Sequence, residues 1–359
     1  MIISISSTAR WFVFFLLAAT SLADTSEAQV TVRRQRVPAQ SPITPTLQVS
    51  DAPPTGIYCS CGLTTTQSDS ITPAIAQLAF VEGVLVRIRW SDIETSRNVY
   101  DFSLIQRQLD LAEQYNTRIA LAIVQGSGTP TWLAQEGAQT IDYAFAGQTR
   151  TIAAAWDPVY QSIWSDTVAV IGAAFDREPR ISLVHATNAS HNGFEMQLPL
   201  GAEAAFVAAG YTDQAYADSW KRSLDDFATA FASHALDVEV HPVFNREAVA
   251  QEVTAHGVLH HGQRYGAFSA WWSTSNAMQT YPGMFTIISQ TASSTFAGVQ
   301  MVGSWNTTPQ RFSSDLQVYK DAYDLALTIG VRYIEVWNAD LLDTSLQPFL
   351  ELMNRELRR

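Results

Sequence analysis

The sequence predicts a single (β/α)8 barrel, a TIM barrel of the α/β class, and three observations carry that expectation. Short β-branched runs alternate with longer stretches of helical period from about residue 55 onward. Eight such pairs follow in series with no run of strands alone, which argues for a parallel sheet closed on itself. No Gly-x-Gly-x-x-Gly turn opens the series, which argues against an open doubly wound sheet.

The strands are expected at 56–60, 83–90, 118–124, 181–187, 237–244, 265–271, 297–303 and 331–337. The helices are expected at 70–80, 103–115, 158–175, 213–234, 246–259, 283–294, 314–329 and 344–356. The run from Val84 to Trp90 is apolar at its start and polar only at its C-terminal end, as suits a strand covered by helices. From Phe102 to Tyr115, Leu104, Ile105, Leu109, Leu111 and Ala112 gather on one face of a helix. The sixth unit has the weakest pattern, because 271–283 is crowded with Trp, Ser and Thr.

Residues 1–28 read as a secretory signal, with Arg10 before the apolar run Trp11 to Ala19 and small residues at Ser21, Ala23 and Ala28. The run is short for a membrane span of about 20 residues. Cleavage after Ala23 or Ala28 would release a secreted or periplasmic chain that leaves the membrane. Residues 29–54, rich in Pro, Thr, Gln and Val without period, read as a flexible linker, and 55–359 as the barrel.

The 22 basic residues are dispersed among 34 acidic ones, for a formal net charge of −12. Gripping phosphates takes clustered Lys and Arg, so nucleic acid and anionic membranes are excluded as partners. Cys59 and Cys61 are the only cysteines. They read as small residues near the first strand, because bridging positions so close strains the bond; a strained disulfide is the alternative. Neither has a His cluster at metal spacing, so no metal and no cofactor are expected.

In a barrel, function sits at the C-terminal ends of the strands. The residues expected there are Arg87, Arg89, Trp90 and Asp92 after the second strand, and Gln125 and Trp132 after the third. The fourth brings His185, Asn188, His191, Asn192 and Glu195, and the fifth His241 and Asn245. Trp271 and Trp272 end the sixth, and Gln300, Trp305 and Asn306 the seventh. Glu335, Trp337, Asn338 and Asp340 end the eighth. Aromatic faces stack on sugar rings while Asn, His and Gln bond hydroxyls, so this rim suits a carbohydrate; core packing of the aromatics is the competing reading.

Breaking a glycosidic bond takes two carboxyl groups, one to protonate the leaving oxygen and one to attack or activate water. Asp92, Glu94, Glu195, Glu335 and Asp340 are available at the mouth. Alternation places Tyr333, Glu335 and Trp337 on one face, toward the lumen. Glu195 and Glu335 are the expected catalytic pair, with Glu195 as the acid because its own loop supplies no cation. Arg87 or Arg89 is expected to pair with Glu335. The competing readings are a structural ion pair for Glu335 and a solvated loop position for Glu195.

The stretches Trp90-Ser91-Asp92-Ile93-Glu94, Val99-Tyr100-Asp101-Phe102 and Thr129-Pro130-Thr131-Trp132-Leu133 resemble barrel glycoside hydrolases of clan A. They are most similar to the catalytic domains of family-42 β-galactosidases and related uncharacterised barrels, and Trp156 to Tyr160 and Asp176 to Arg180 also resemble such barrels. The resemblance covers roughly 83–200. It implies an Asn-Glu acid ending the fourth strand and a Glu nucleophile ending the seventh. Here Ala189 follows Asn188, and 297–308 holds no carboxylate. The family's own pair is therefore not carried over, and Glu195 and Glu335 take its place as relocated candidates.

The leading expectation is a secreted glycoside hydrolase acting on a β-linked oligo- or polysaccharide. A non-catalytic glycan-binding barrel is the second. The third is a lyase-like enzyme using His185, His191 or His241 as base. No Gly-x-Ser-x-Gly, His-Glu-x-x-His or P-loop signature appears.

Overall fold

The computed structural model describes residues 48–359. The expected signal and most of the expected linker lie outside the described residues. Eight parallel strands close into a barrel in sequence order. They are Gly56–Leu63, Val81–Arg89, Arg118–Val124, Ile181–His185, Leu236–Glu239, Tyr265–Trp272, Phe296–Met301 and Tyr333–Trp337. Closure is made by the first strand on the last, from Gly56 opposite Tyr333 to Ser60 opposite Trp337. Among the described residues, no helix is long and apolar enough to cross a membrane.

Seven full helices cover the outside: Ser103–Tyr115, Pro158–Phe175, Asp213–Ala230, Ala248–His261, Pro282–Ser294, Leu316–Thr328 and Gln347–Leu357. Their starts follow local chemistry. Asp157 accepts from the Tyr160 amide at 2.9 Å with Pro158 at the first helical position, and Thr212 caps the next helix at the Ala215 amide.

The helix expected over 70–80 shrinks to Pro73–Ala76. The residues before it are committed elsewhere: the Thr64 and Ser70 hydroxyls lie 2.6 Å apart, and Asp69 accepts from Arg107 and Gln108 at 2.6 Å. The fourth and fifth strands also stop short of the expected 187 and 244, because the chain leaves the sheet there to build the mouth.

The cysteines depart from the preferred reading. Cys59 and Cys61 form a disulfide with Cα atoms 5.3 Å apart. Residues two apart on a strand share a face. Here the strand also bends, with Gly62 at φ +97° and a register shift against the second strand between Ser60 and Leu63, which draws the two together.

Two apolar clusters form the core. The larger lies between sheet and helices; the smaller, with Tyr58, Leu85, Leu183, Phe268, Phe296 and Tyr333, fills the barrel interior. What remains of the interior, at the C-terminal ends of the strands, is polar.

Candidate active site

The floor of the mouth is built around Glu335, which has no exposed surface. A buried carboxyl needs partners. Tyr333 donates to Oε1 at 2.5 Å and Gln300 donates to Oε2 at 2.7 Å. Gln300 also reaches Ser60 Oγ at 3.1 Å, tying the seventh, eighth and first strands together.

Opposite stands His185 from the fourth strand. Its Nδ1 lies 2.6 Å from Asp237 Oδ1 and its Nε2 3.4 Å from Glu335 Oε1. Burial alone would lower its pKa, but Asp237 and then Glu335 outweigh that and push it up to about 9. At neutral pH the buried ring is therefore an imidazolium between two carboxyls.

Above the floor a second group gathers. Gly193, at φ +76°, packs so closely on the Gln125 backbone that a Cβ would lie 2.1 Å from it, and this turn aims Glu195 inward. The Glu195 amide donates to Asn192 Oδ1 at 2.8 Å, and its carboxyl accepts from the Gln197 amide group. His241 Nδ1 lies 3.0 Å from Glu239 Oε1 and 3.9 Å from Glu195 Oε2. Burial, then Glu239, raise the Glu195 pKa, with His241 opposing. His241 is in turn raised by Glu239 and Glu195 against the effect of burial.

Arg87 connects the two groups. Burial lowers its pKa, while Glu335 and then Glu195 raise it, so its guanidinium lies within electrostatic reach of both. Its Nε has no hydrogen-bond partner.

The carboxyl and imidazole ligand atoms of Glu195, Glu239 and His241 lie within 4.8 Å of one another, as a metal would require. Each already has a partner within the protein: Glu239 Oε2 accepts from the Met196 amide at 2.8 Å, Glu239 Oε1 lies 3.0 Å from His241 Nδ1, and the Glu195 carboxyl accepts from Gln197.

Two cavities open here, of about 440 and 600 Å³. His191 and Asn192 line both; His241, Gln197 and Tyr281 line the larger. A hairpin, Thr140–Phe145 with Gln148–Ala153, follows the third strand and leans over them. Its Tyr143 hydroxyl lies 2.8 Å from His191 Nδ1, and the Phe145 ring lies tilted against the same ring with centroids 4.1 Å apart.

The other expected contacts divide. Arg89 and Asp92 sit on the rim, 3.8 Å apart and partly exposed. Trp305 and Trp337 are half-buried, with Trp337 donating to the Met301 carbonyl at 2.7 Å. Trp132 is half-buried and donates to the Glu94 carbonyl at 3.1 Å. Trp90 is a core residue instead: fully buried, it donates to Glu94 Oε2 at 2.9 Å and packs edge-on against Trp132 and Trp164. Trp271 is buried too, donating to the Val240 carbonyl at 2.8 Å behind His241.

Asp340 is likewise structural, with no exposed surface, accepting from Ser304 Oγ, the Trp305 and Asn306 amides and the Tyr319 hydroxyl. Asn188 is buried behind the mouth, bonded to Tyr160 and Ser219, and Ala189 beside it is buried.

Asp237 and Glu239 were missing from the expected rim. The signal was present: Asp237, Glu239 and His241 alternate with Val238 and Val240, which places three polar groups on one face.

Residues 75–235 match the family model described as β-galactosidase of the glycoside hydrolase 42 type. No curated protein is similar in sequence at a significant level. Among solved structures, the barrel is similar to the catalytic domain of β-amylase from Paenibacillus polymyxa, at 10% identity and TM-score 0.53 over 80% of this chain and 92% of that one. It is also similar to endo-glycoceramidase II from Rhodococcus sp., at 12% identity and TM-score 0.51 over 82% of this chain and 75% of that one. At such identities the structures speak for the fold alone. Over 75–235 the chain is similar in sequence to the glycoside hydrolase 42 family of β-galactosidases, a match that supports a glycosidase, and its fold is a closed (β/α)8 barrel.

Proposed function

We propose that the chain is an exported glycosidase acting on a β-linked oligo- or polysaccharide, with Glu195 as general acid and Glu335 as the second carboxyl. The observation that carries this reading is the Glu195 carboxyl itself. It is desolvated, raised in pKa beside Glu239, and set among residues that line a 600 Å³ cavity at the barrel mouth. A carboxyl whose surroundings favour its protonated form is what protonation of a leaving oxygen needs.

Glu335 stands on the floor below, and Arg87 feels both carboxyls. Because Glu335 has no exposed surface and Gln300 holds its Oε2, this reading requires the floor to open as a sugar ring enters. The ring would then lie between an acid on the wall and a carboxyl on the floor, the two-carboxylate arrangement of glycoside hydrolysis.

The β-linkage is supported by the description of the matched family. Export is supported by the basic and apolar opening of the chain, and by the Cys59–Cys61 disulfide, since such bonds persist in oxidising compartments. N-terminal sequencing of secreted material should find Asp24 or Gln29; finding Met1 would remove this part.

Glu239 as the second carboxyl is favoured by one observation, its ligand oxygen lying within 4.8 Å of that of Glu195. The test is turnover of a panel of β-linked aryl glycosides and polysaccharides by the native protein and by Glu195→Gln, Glu335→Gln and Glu239→Gln. Loss of several orders of magnitude in the first two with sugar binding retained supports the assignment. Near-normal rate in Glu335→Gln with loss in Glu239→Gln moves the role to Glu239. Binding without turnover by the native protein marks a barrel that holds glycans uncut.

A further inference from the structure

We propose that Asp225, His256 and His261 form a binding site for a divalent transition metal of the zinc, nickel or copper group, clamping two neighbouring helices. The site stands apart from the mouth and does not rest on the proposed hydrolysis. Asp225 lies late in the helix Asp213–Ala230, and both histidines lie in the second half of Ala248–His261. Both helices run back toward the N-terminal ends of the next strands, so this cluster lies at the opposite end of the barrel from Glu195 and Glu335.

The geometry is convergent. His256 Nε2 and His261 Nε2 each lie 2.8 Å from the same oxygen, Asp225 Oδ1. The three ligand atoms fall within 4.8 Å of one another. Ligands about 2.0–2.1 Å from a tetrahedral zinc are about 3.3 Å apart, so shifts of a few tenths of an ångström admit the ion. In the present hydrogen bonds both rings must offer an Nε2 proton to one acceptor. On binding, each ring moves that proton to Nδ1 and turns the Nε2 lone pair to the metal, with no oxidation or other co-reactant involved.

The ending of the helix makes this possible. His256 and His261 are five apart, further round than an ordinary i, i+4 pair. The helix stops at His261, followed by Gly262 at φ +55°, which frees His261 to turn toward Asp225. The site is reachable: the Asp225 side chain is 48% exposed, and those of His256 and His261 are 20% and 13% exposed. The neighbouring cation, Arg264, is turned away, bonded to the carbonyls of Phe231 and His234 at 2.6 and 3.1 Å. The His260 ring lies against His256 with centroids 4.4 Å apart, near enough to compete with water for the fourth position. Two imidazoles and one carboxylate suit zinc, nickel or copper, whereas calcium and magnesium prefer all-oxygen sets.

The test uses the full chain, stripped by a chelator and dialysed. It is titrated with Zn²⁺ by calorimetry and with Co²⁺ by visible absorption. One saturable equivalent, the absorption of tetrahedral cobalt, and a rise of several degrees in Tm at saturating zinc are expected. Asp225→Asn and His261→Gln, which keep a polar side chain of similar size, should each weaken affinity at least tenfold, and the double variant His256→Gln/His261→Gln at least a hundredfold. His241→Gln should leave the affinity unchanged. Absence of saturable binding overturns the proposal. So does binding that survives the double variant, or binding lost in His241→Gln, which would place the ion at the mouth.

Discussion

His185 and Glu335 face each other across the barrel interior, Nε2 3.4 Å from Oε1, although they come from the fourth and eighth of eight strands. Asp237 holds the other ring nitrogen at 2.6 Å. The contact fixes two things at once: the orientation of the imidazole and the charge facing the floor carboxyl. It also replaces the arginine pair expected for Glu335, since Arg87 acts on it from within electrostatic reach without a hydrogen bond or ion pair in contact distance.

The buried imidazolium gives a stability signature with a definite sign. The folded-state pKa of His185, about 9, exceeds the usual value of 6.5. Its contribution is therefore fully present below about pH 6.5 and fades as pH rises to about 9, by up to about 1.4 kcal/mol per pH unit. Tm measured from pH 6 to 9.5 should fall through that window. His185→Gln should be less stable at pH 6 and should flatten the fall. An unchanged slope in the variant assigns it to another group.

Glu195 as acid predicts a high-pH limb in kcat, because activity is lost as the raised carboxyl gives up its proton. Glu195→Gln should cost several orders of magnitude on substrates with poor leaving groups. It should recover much of that on dinitrophenyl glycosides, which leave without protonation. Equal loss on both kinds of substrate would remove Glu195 from the acid role.

Glu335→Gln should lower kcat by about 10³-fold or more while KM stays within a few-fold, if the carboxyl acts only at the transition state. Kinetics and melting must be read together, because the same change also breaks the acceptor for Tyr333 and Gln300. A large drop in Tm with kcat intact would mark Glu335 as a structural anchor.

Asp340→Asn separates a buried structural carboxyl from a sugar ligand. Asp340 accepts from Ser304, Tyr319 and the Trp305 and Asn306 amides. Its replacement should cost about 2–4 kcal/mol of stability, since partners are left unsatisfied in the interior. Sugar affinity, measured at a temperature where the variant is folded, should change little.

Tyr143→Phe and His191→Ala test the hairpin side of the mouth. The Tyr143 hydroxyl fixes His191, which lines both cavities. Both changes should raise KM several-fold with kcat nearly unchanged, the pattern of lost uniform binding. A change in kcat alone would place His191 closer to the reacting atoms.

The barrel was legible because its signals are local and repeated. Val84 to Trp90 reads as a covered strand from its own residues, and so does Tyr333 to Trp337 with Glu335 turned inward. The site was legible only in part. Glu195 and His241 could be placed at one rim from strand order alone. Which tryptophans line the mouth could not, because Trp90 and Trp271 are drawn into the core by packing, with their indole N–H groups bonded to Glu94 and to the Val240 carbonyl. Asp340 misled for the same reason, being claimed by a loop from the seventh strand and a tyrosine from the helix after it. Asp237 and Glu239 were readable in the alternation around Val238, but a four-residue strand offers little context for giving them weight. The Cys59–Cys61 bond depended on a bend at Gly62 that no spacing rule reveals.

The end of the chain binds back onto the first two strands, so completing the barrel depends on residues far apart in sequence. Asn354 accepts from the Ile57 amide at 2.9 Å and donates to Glu82 at 2.8 Å, and Arg358 adds a further link to Glu82. These partners are 297, 272 and 276 positions apart. The opening strand can pair early with the second, but its other edge stays unpaired until the last strand is available. Such a chain is slow to complete and exposed to strand-edge association in the meantime, so its yield in a host cell should depend on chaperones and on expression temperature.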